Sequence, residues 1–547
     1  MAQRGEIFRS VGGRKPKRTA FDLSFDNKLS TDFGVLTPVL CKEVVPGDTF
    51  KITSEMMVRM APTLAPVMHN INVTVHFFFV PDRIIWEDFE DFITGGADGL
   101  SSPVVPYVES VDLATYAGSG TLADCLGIPN NIGDGQTQIV TLPFRAYQKI
   151  YNEYYRDQNL TDEVELEVAS GEETTEFEQL FKLRKRCWQK DYFTSALPFA
   201  QRGGDVSLPL SLGGSASVSG AAGVYYYDAQ DGTVLGTSLV DLKSGDSEGN
   251  VGVDLYNAPG SSQSVGAMVE LIPSGPSKPD GSKWLHADMS EATVNSPTIR
   301  DLRRASKLQE WLERNARGGS RYIEQILSHF GVRSSDARLQ RPEYLGGGSV
   351  PVVISEVLQQ AASTDADPAG AMAGHGIAVG NSPRFKKFFE EHGYIMGIMS
   401  IMPTTAYMDG LPRHFLKQDK FDYYFPEFAH IGEQPIFNAE ISAAHRDPYA
   451  TFGYTPRYAE YKYSPSECHG DFRGNLSFWH LARPVSDDVA LNTSFVECDK
   501  SSLNRIFAVD DSDPDSPYYE SVNKFWIEIY HHIVAKRPMP LLGDPQF

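Results

Sequence analysis

Four sets of residues carry types and spacings that could do chemistry. Gly245, Ser247 and Gly249 stand in the G-x-S-x-G order that lifts a nucleophilic serine onto a strand-to-helix turn. That turn needs a buried strand before it and a helix after it. The next residues here are Asn250-Val251-Gly252-Val253, in a stretch rich in Gly and Ser, so a surface turn is the better reading. Gly118, Gly120 and Ala123 follow the dinucleotide fingerprint, but Asp112-Leu113-Ala114-Thr115-Tyr116 before them is no buried parallel strand. Asp510, Asp511, Asp513 and Asp515 open like a calcium loop. Ser516 and Val522 then occupy the positions where an EF-hand needs Gly and Glu, which leaves a solvated loop or a looser divalent-ion site. His531 and His532 adjoin within a strand-like run, so they point to opposite faces and cannot chelate one metal. No catalytic residue, metal or cofactor is expected.

Charge is the more informative feature. The 547 residues carry 49 Lys plus Arg against 71 Asp plus Glu, a net charge of −22, which argues against a globally basic nucleic-acid-wrapping surface. Residues 1–20 reverse that sign. Arg4, Arg9, Arg14, Lys15, Lys17 and Arg18 face the single acid Glu6, and Gly12, Gly13 and Pro16 oppose regular structure. This segment is expected to be a flexible basic arm that contacts nucleic acid, the alternative being an arm that touches only protein. Two further basic clusters, at 182–190 and 300–321, have acids interleaved or nearby and suit salt-bridge pairing between subunits or phosphate contact. The five cysteines are widely spaced, with no Cys-x-x-Cys, so neither disulfides nor zinc are expected. No apolar run reaches the ~18 residues of a membrane span, and the first residues lead into no secretory leader.

Which elements could position such residues? Aromatics at 11%, with 47 Gly and 34 Pro, favour strands joined by long connections. Strands are expected at 49–59, 72–80, 350–357, 394–402, 457–463, 476–481 and 522–534. In 72–80, Val73, Val75, Phe77 and Phe79 share one face. Helical spacing recurs at Ile85, Phe89, Phe92 and Ile93 before Gly95-Gly96, and at Tyr147, Ile150, Tyr151 and Tyr154. A long helix is expected from Ser296-Pro297 to Gly318-Gly319, and a shorter one over 322–330. Residues 203–283 form a zone of their own with 15 Gly, 14 Ser and a charge of −6, read as a surface insertion with short strands. Strands and helices do not alternate regularly. The fold class is therefore mainly β, an antiparallel eight-stranded jelly-roll barrel with long loop insertions and a few helices. The parts are a basic arm at 1–20, barrel at 21–202, the insertion at 203–283, and barrel again at 284–547.

Longer runs carry a resemblance. They are MAPTLAPVMH at 60–69 with VHFFFVP at 75–81, ARGGSRY at 316–322 with RLQRPEYLGG at 338–347, FPEFAHIGEQ at 425–434, and FGYTPRYAEYK at 452–462 with WHLA at 479–482. In this order the chain resembles the major capsid proteins of gokushoviruses, small single-stranded DNA bacteriophages of the Microviridae. Residues 203–283 lie outside the likeness, where that family has a variable protrusion at the threefold axes. The resemblance implies a virion protein made in the bacterial host cytoplasm. It implies a T=1 icosahedral shell of 60 copies around a circular single-stranded DNA genome. It implies as partners an internal scaffolding protein, a DNA pilot protein, a small basic DNA-binding protein and a host cell-surface receptor. On that reading the basic arm meets the genome, and Tyr225, Tyr226 and Tyr227 of the insertion are candidates for host attachment. A jelly-roll lectin or glycan-acting enzyme is the alternative the fold class leaves open.

Overall fold

The architecture is that of a computed structural model. It describes residues 17–542 apart from 131, 133–136, 175–176, 205, 320, 359–371, 510–511, 515 and 517–518; within 207–298 it describes only the backbone of six short strands. The chain divides into two compact units, Met1–Gly203 with Leu312–Phe547, and Gly204–Trp311.

The larger unit holds two large antiparallel sheets, besides the two-stranded pairs of Tyr107–Glu109 with Gln138–Val140 and of Gln434–Phe437 with Thr451–Thr455. Strands β1 (Thr19–Asp22), β2 (Phe25–Thr31), β3 (Thr37–Val44), β4 (Thr49–Met60) and β5 (Ile71–Pro81) come early in the chain. Strands β6 (Glu343–Pro351), β7 (Val353–Leu358), β8 (Met372–Asn381), β9 (Phe385–Phe388), β10 (Gly393–Pro403) and β11 (Phe525–Arg537) come late. The seven-stranded sheet runs β1–β11–β4–β8–β7, with β2 also on β11 and β9 also on β4. The four-stranded sheet runs β6–β5–β10–β3. Early and late strands thus interleave in both sheets, and the chain passes repeatedly between them, as a jelly roll requires. The fold is mainly β and of jelly-roll type, as expected; its two sheets have seven and four strands and do not close into a barrel, so the expected count of eight strands is not confirmed.

Side-chain pattern explains the layering. In β4 and β11, buried and more exposed residues alternate: Phe50, Ile52, Met56, Val58 and Met60 point inward, as do Ile527, Ile529, Ile533 and Ala535. One face is core and the other open, the period-2 signature of a half-covered sheet. Strand β10, Gly-Tyr-Ile-Met-Gly-Ile-Met-Ser-Ile-Met-Pro, is buried almost throughout. Its inner side joins the core between the sheets, while Met396 and Ile398 join a second core with Phe78, Val80, Trp86, Tyr147 and Ile150. Helix α1 (Phe89–Thr94) closes on Gly95 at φ 80°, a left-handed stop that glycine adopts without strain. Helix α2 (Leu142–Ile150) runs into a wider turn at Tyr151–Tyr155, and its expected aromatic stripe lies in that second core. Helices α3 (Ile299–Gly318) and α4 (Tyr322–Phe330) follow later in the chain. Residues 296–297, expected to start α3, lie outside the described residues.

Three expected strands differ. The run 350–357 is two strands in different sheets, because Val352 turns inward and its N–H donates to Ile71 O. The run 457–463 is a turn: Tyr458 has φ 61° and opens the 3-10 segment Ala459–Tyr461. The run 476–481 holds the 3-10 turn Ser477–Trp479. The last strand begins at Phe525 rather than 522, since the N–H of Lys524 is taken by the Asp32 carboxylate at 2.8 Å.

The smaller unit is a nested set of antiparallel ladders. Ser211–Gly213 pairs Thr293–Asn295, Ser217–Ser219 pairs His286–Asp288, and Ala222–Tyr227 pairs Val234–Val240.

Candidate nucleic-acid interface

The basic arm enters the fold at an edge. Residues 1–16, with Arg4, Arg9, Arg14 and Lys15, lie outside the described residues. Lys17 and Arg18 are exposed. Arg18 nonetheless has partners in its own chain: its guanidinium sits 5.0 Å over the Phe388 ring and donates to Gly47 O. It is a docking residue for the arm before it is a free phosphate contact. Thr19 then pairs with Arg537, so the arm leaves from the β1 edge of the seven-stranded sheet.

Among the described residues, much of the outer face of that sheet is exposed. It presents Val379, Val353, Phe388 and Val534 among exposed apolar residues, with Lys51, Lys386 and Lys536 at the end where the arm starts. Sequence reading missed these lysines because they lie in three segments far apart in the chain. Only strand register brings them together.

The last strand's histidine pair divides as expected. His531 is buried, and its Nε2 and Nδ1 lie 3.0 Å from Val39 O and 2.7 Å from Ser54 Oγ. These partners fit the neutral ring that donates from Nε2 and accepts at Nδ1. Burial pushes its pKa down to about 4. His532 faces the other way, 3.3 Å from Glu55.

The basic cluster at 182–190 is not reserved for other subunits. Arg184 donates to Gln148 and Gln179, Lys185 meets Asp499 at 2.7 Å, Arg186 donates to Ser400 Oγ and Lys190 to Asp157. In the helical cluster Arg317 reaches Glu433 at 2.8 Å and Arg321 meets Glu324 at 3.4 Å. A cavity of about 1100 Å³ lies beside these groups, walled by His76, Tyr155, Trp188, Arg156, Arg186 and Arg321. Its charges are largely matched by neighbours such as Asp157 and Glu324, so it carries no ligand assignment.

The short motifs do not assemble into sites. Gly118 and Gly120 precede the four-residue helix Leu122–Cys125, capped by Thr121, with no parallel strand before it. Residues 245–249 lie outside the described residues, as do Asp510, Asp511 and Asp515. Among the described residues no group of three His, Cys, Asp or Glu side chains could hold a metal. Tyr225, Tyr226 and Tyr227 lie on the strand Ala222–Tyr227, opposite Thr237, Gly236 and Val234, with a register shift between the last two pairs.

Exposed rings recur in one further stretch of the chain. Phe415, Tyr423, Tyr424, Phe425, Tyr449 and Tyr461 are all half or more exposed within 415–461. Exposed rings at this density mark protein contact surfaces. A chain with one open sheet face, a basic arm and a ring-rich loop surface is built to meet other molecules. The family profile described as capsid protein (F protein) matches residues 10–547. The chain belongs to the phage F capsid protein family. It is similar to capsid protein VP1 of Chlamydia phage 1, 35% identical over 97% of this chain and 95% of the relative. It is also similar to capsid protein VP1 of Bdellovibrio phage phiMH2K, 36% identical over 96% and 95%, and to that of Spiroplasma virus 4, 30% identical over 94% and 92%. The family expected from the sequence, the gokushovirus major capsid proteins, is thus the family found. This capsid protein is a structural component of the virion and a subunit of a homo-oligomeric shell, not an enzyme; the lectin or glycan-acting alternative is set aside. No helix among the described residues is long and apolar enough to cross a membrane.

Proposed function

We propose that this capsid protein assembles as 60 copies in a T=1 icosahedral shell around a circular single-stranded DNA genome. The observation that carries the reading is the pairing of a full-length family match with an acidic body that bears one basic arm. Charge −22 disfavours dense self-association, so assembly draws on apolar contact and on partners. Residues 21–202 and 284–547 supply the jelly roll. Residues 1–20 face the interior, where Arg4, Arg9, Arg14, Lys15, Lys17 and Arg18 offer cations to phosphates, with Arg18 shared with Phe388 and Gly47. Residues 203–283 form the outward protrusion, and Tyr225, Tyr226 and Tyr227 belong to its attachment surface for a host cell-surface receptor. An acidic, Gly- and Ser-rich segment is a poor neighbour for packaged DNA and tolerates sequence drift. An internal scaffolding protein, a DNA pilot protein and a small basic DNA-binding protein complete the partner set, and no cofactor takes part.

Electron microscopy of the chain purified with its co-expressed partners tests the assembly. Uniform shells are expected; a persistent monomer or dimer contradicts it. Deleting residues 1–16 should leave shells that form but hold little DNA, and unchanged DNA content would remove the arm from the genome contact. Replacing residues 215–283 by a short Gly/Ser linker should leave intact shells that fail to adsorb, because long surface insertions cost little closure entropy. Full adsorption would remove the attachment role.

A further inference from the structure

Lys51 and Lys386 stand directly opposite each other on neighbouring strands of one sheet. Residues so paired share a face, with Cβ atoms about 5 Å apart, and like charges there are destabilising. Lys536 lies diagonally across the other side of β4: Val534 is opposite Lys51, and Lys536 is two residues further on. All three point to the open face, since Phe50, Ile52, Ile533 and Ala535 beside them point into the core. Among the described residues none of the three makes an ion pair. Their cluster-mates elsewhere do: Lys28 on the same face meets Glu528 at 3.3 Å, and Lys387, pointing away, meets Glu343 at 2.7 Å. Asp22, opposite Val534, keeps its charge on this face; it accepts 3.0 Å from the Ser24 N–H and also takes the Ser24 hydroxyl, and the cation that bears on it is His532 rather than a lysine. Glu55 is beside His532.

A lysine on an edge strand guards against sheet-to-sheet association. That accounts for Lys386 on β9. It does not account for Lys51, which lies on β4 with β11 on one side and β9 on the other. Unneutralised cations held together on the open face of an acidic protein indicate a polyanionic ligand. The occupant is indicated by continuity. Phe388, under the Arg18 guanidinium, is opposite Thr49, and Thr49 is in turn opposite Lys536. The arm therefore starts on top of the cluster.

We infer that Lys51, Lys386 and Lys536 form a fixed phosphate-binding site for the backbone of single-stranded DNA, continuing the contact begun by the arm. The inference rests on the proposed genome contact of the arm, but it can stand or fall separately. The arm supplies charge along a run of sequence, whereas the sheet supplies cations at set spacing.

The test is binding of a fluorescent 20-nucleotide thymidine oligomer to the full chain across a salt series. Six chains are compared: the natural one, K51Q/K386Q/K536Q, K51R/K386R/K536R, K28Q, K386Q, and the chain lacking residues 1–16. Three lost phosphate contacts at about 0.7 each should flatten the log–log salt slope by about 2 in the glutamine variant. The arginine variant should keep the slope, and K28Q, which removes an acid-paired lysine from the same face, should not change it. Thermal melts check that each variant is folded; the single K386Q, with an expected change of about 0.7, serves if the triple variant is not. An unchanged slope in folded glutamine variants overturns the site. So does normal DNA binding with failed shell formation, which would assign the face to a second copy of this chain. If the arm-less chain binds as before while the glutamine variant weakens, the arm reading fails and this site stands.

Discussion

The two sheets share one core but differ in what lies behind them. The four-stranded sheet has the inter-sheet core on one side and the helical core of Trp86, Tyr147 and Ile150 on the other. The seven-stranded sheet has the same core on one side and, among the described residues, a largely exposed face on the other. Strand composition follows: β10 is apolar on both faces, while β4 and β11 alternate. A sheet with two covered faces can contribute fold stability but offers little to a partner. A sheet with one open face holds the fold with half its residues and leaves the rest to recognition. The same division separates the buried Arg145–Glu173 pair from Lys51, Lys386 and Lys536 of the open face, which make no ion pair among the described residues.

That contrast breaks most readily at Ile398. A lysine there would be sealed between two apolar layers without a counter-ion, and no soluble folded chain should be recovered, since a buried unpaired charge costs several kcal/mol. Lysine at Val379 on the open face should shift a urea midpoint by no more than about 0.5 kcal/mol equivalent. Similar losses for the two would erase the distinction.

Beneath the covered sheet, Arg145 donates from Nε to Glu173 at 2.7 Å and to the carbonyls of Ile85 and Ala169, both 3.1 Å away. Arg145→Met strands Glu173 and should cost about 3–5 kcal/mol in denaturant unfolding. Removing an exposed ion pair such as Arg446–Asp488 should cost less than about 1 kcal/mol.

Acid sharpens the comparison at His531, whose ring bridges the sheets from Ser54 to Val39. Its folded pKa is depressed to about 4 from an ordinary 6.5, so the unfolded chain binds more protons between those values. Its stabilising effect is complete above pH 6.5 and is lost as pH falls towards 4, by about 3 kcal/mol in all. His531→Gln should flatten this part of the stability–pH curve, although the curve as a whole will be lower if the new amide packs less well. The smallest expected effect has the opposite sign. Lys386→Gln should raise the melting temperature slightly, because relieving a cross-strand like-charge pair is worth a few tenths of a kcal/mol.

Sequence pattern exposed the strands that obey one simple rule. The alternation at 72–80 and the apolar run at 394–402 correspond to β5 and β10. Strand β8 was hidden by glycine. Its inward positions include Gly374, Gly376 and Gly380, so no apolar alternation is visible. They are glycine because space is short: a Cβ at Gly374 would lie 2.6 Å from Ala65 O and one at Gly376 2.7 Å from Met60 Cε. The aromatic run at 457–463 misled in the other direction. Its rings fasten a loop instead of a strand, with Tyr458 OH donating to Phe421 O and Tyr423 O at 3.0 and 3.1 Å. The basic arm was legible as a run of like residues, but the lysine cluster was not. Positions 51, 386 and 536 become neighbours only through the pairing of β9, β4 and β11.

The central claim is that the covered sheet holds the fold while the open sheet meets the genome. A reconstruction of the DNA-filled particle, at a resolution that separates strands, tests it most directly. The account predicts that the face carrying Lys51, Lys386 and Lys536 lines the lumen, with nucleic-acid density against it and the arm leaving from its β1 edge. That face turned outward to solvent, or pressed against a neighbouring subunit with no nucleic acid in reach, would contradict it.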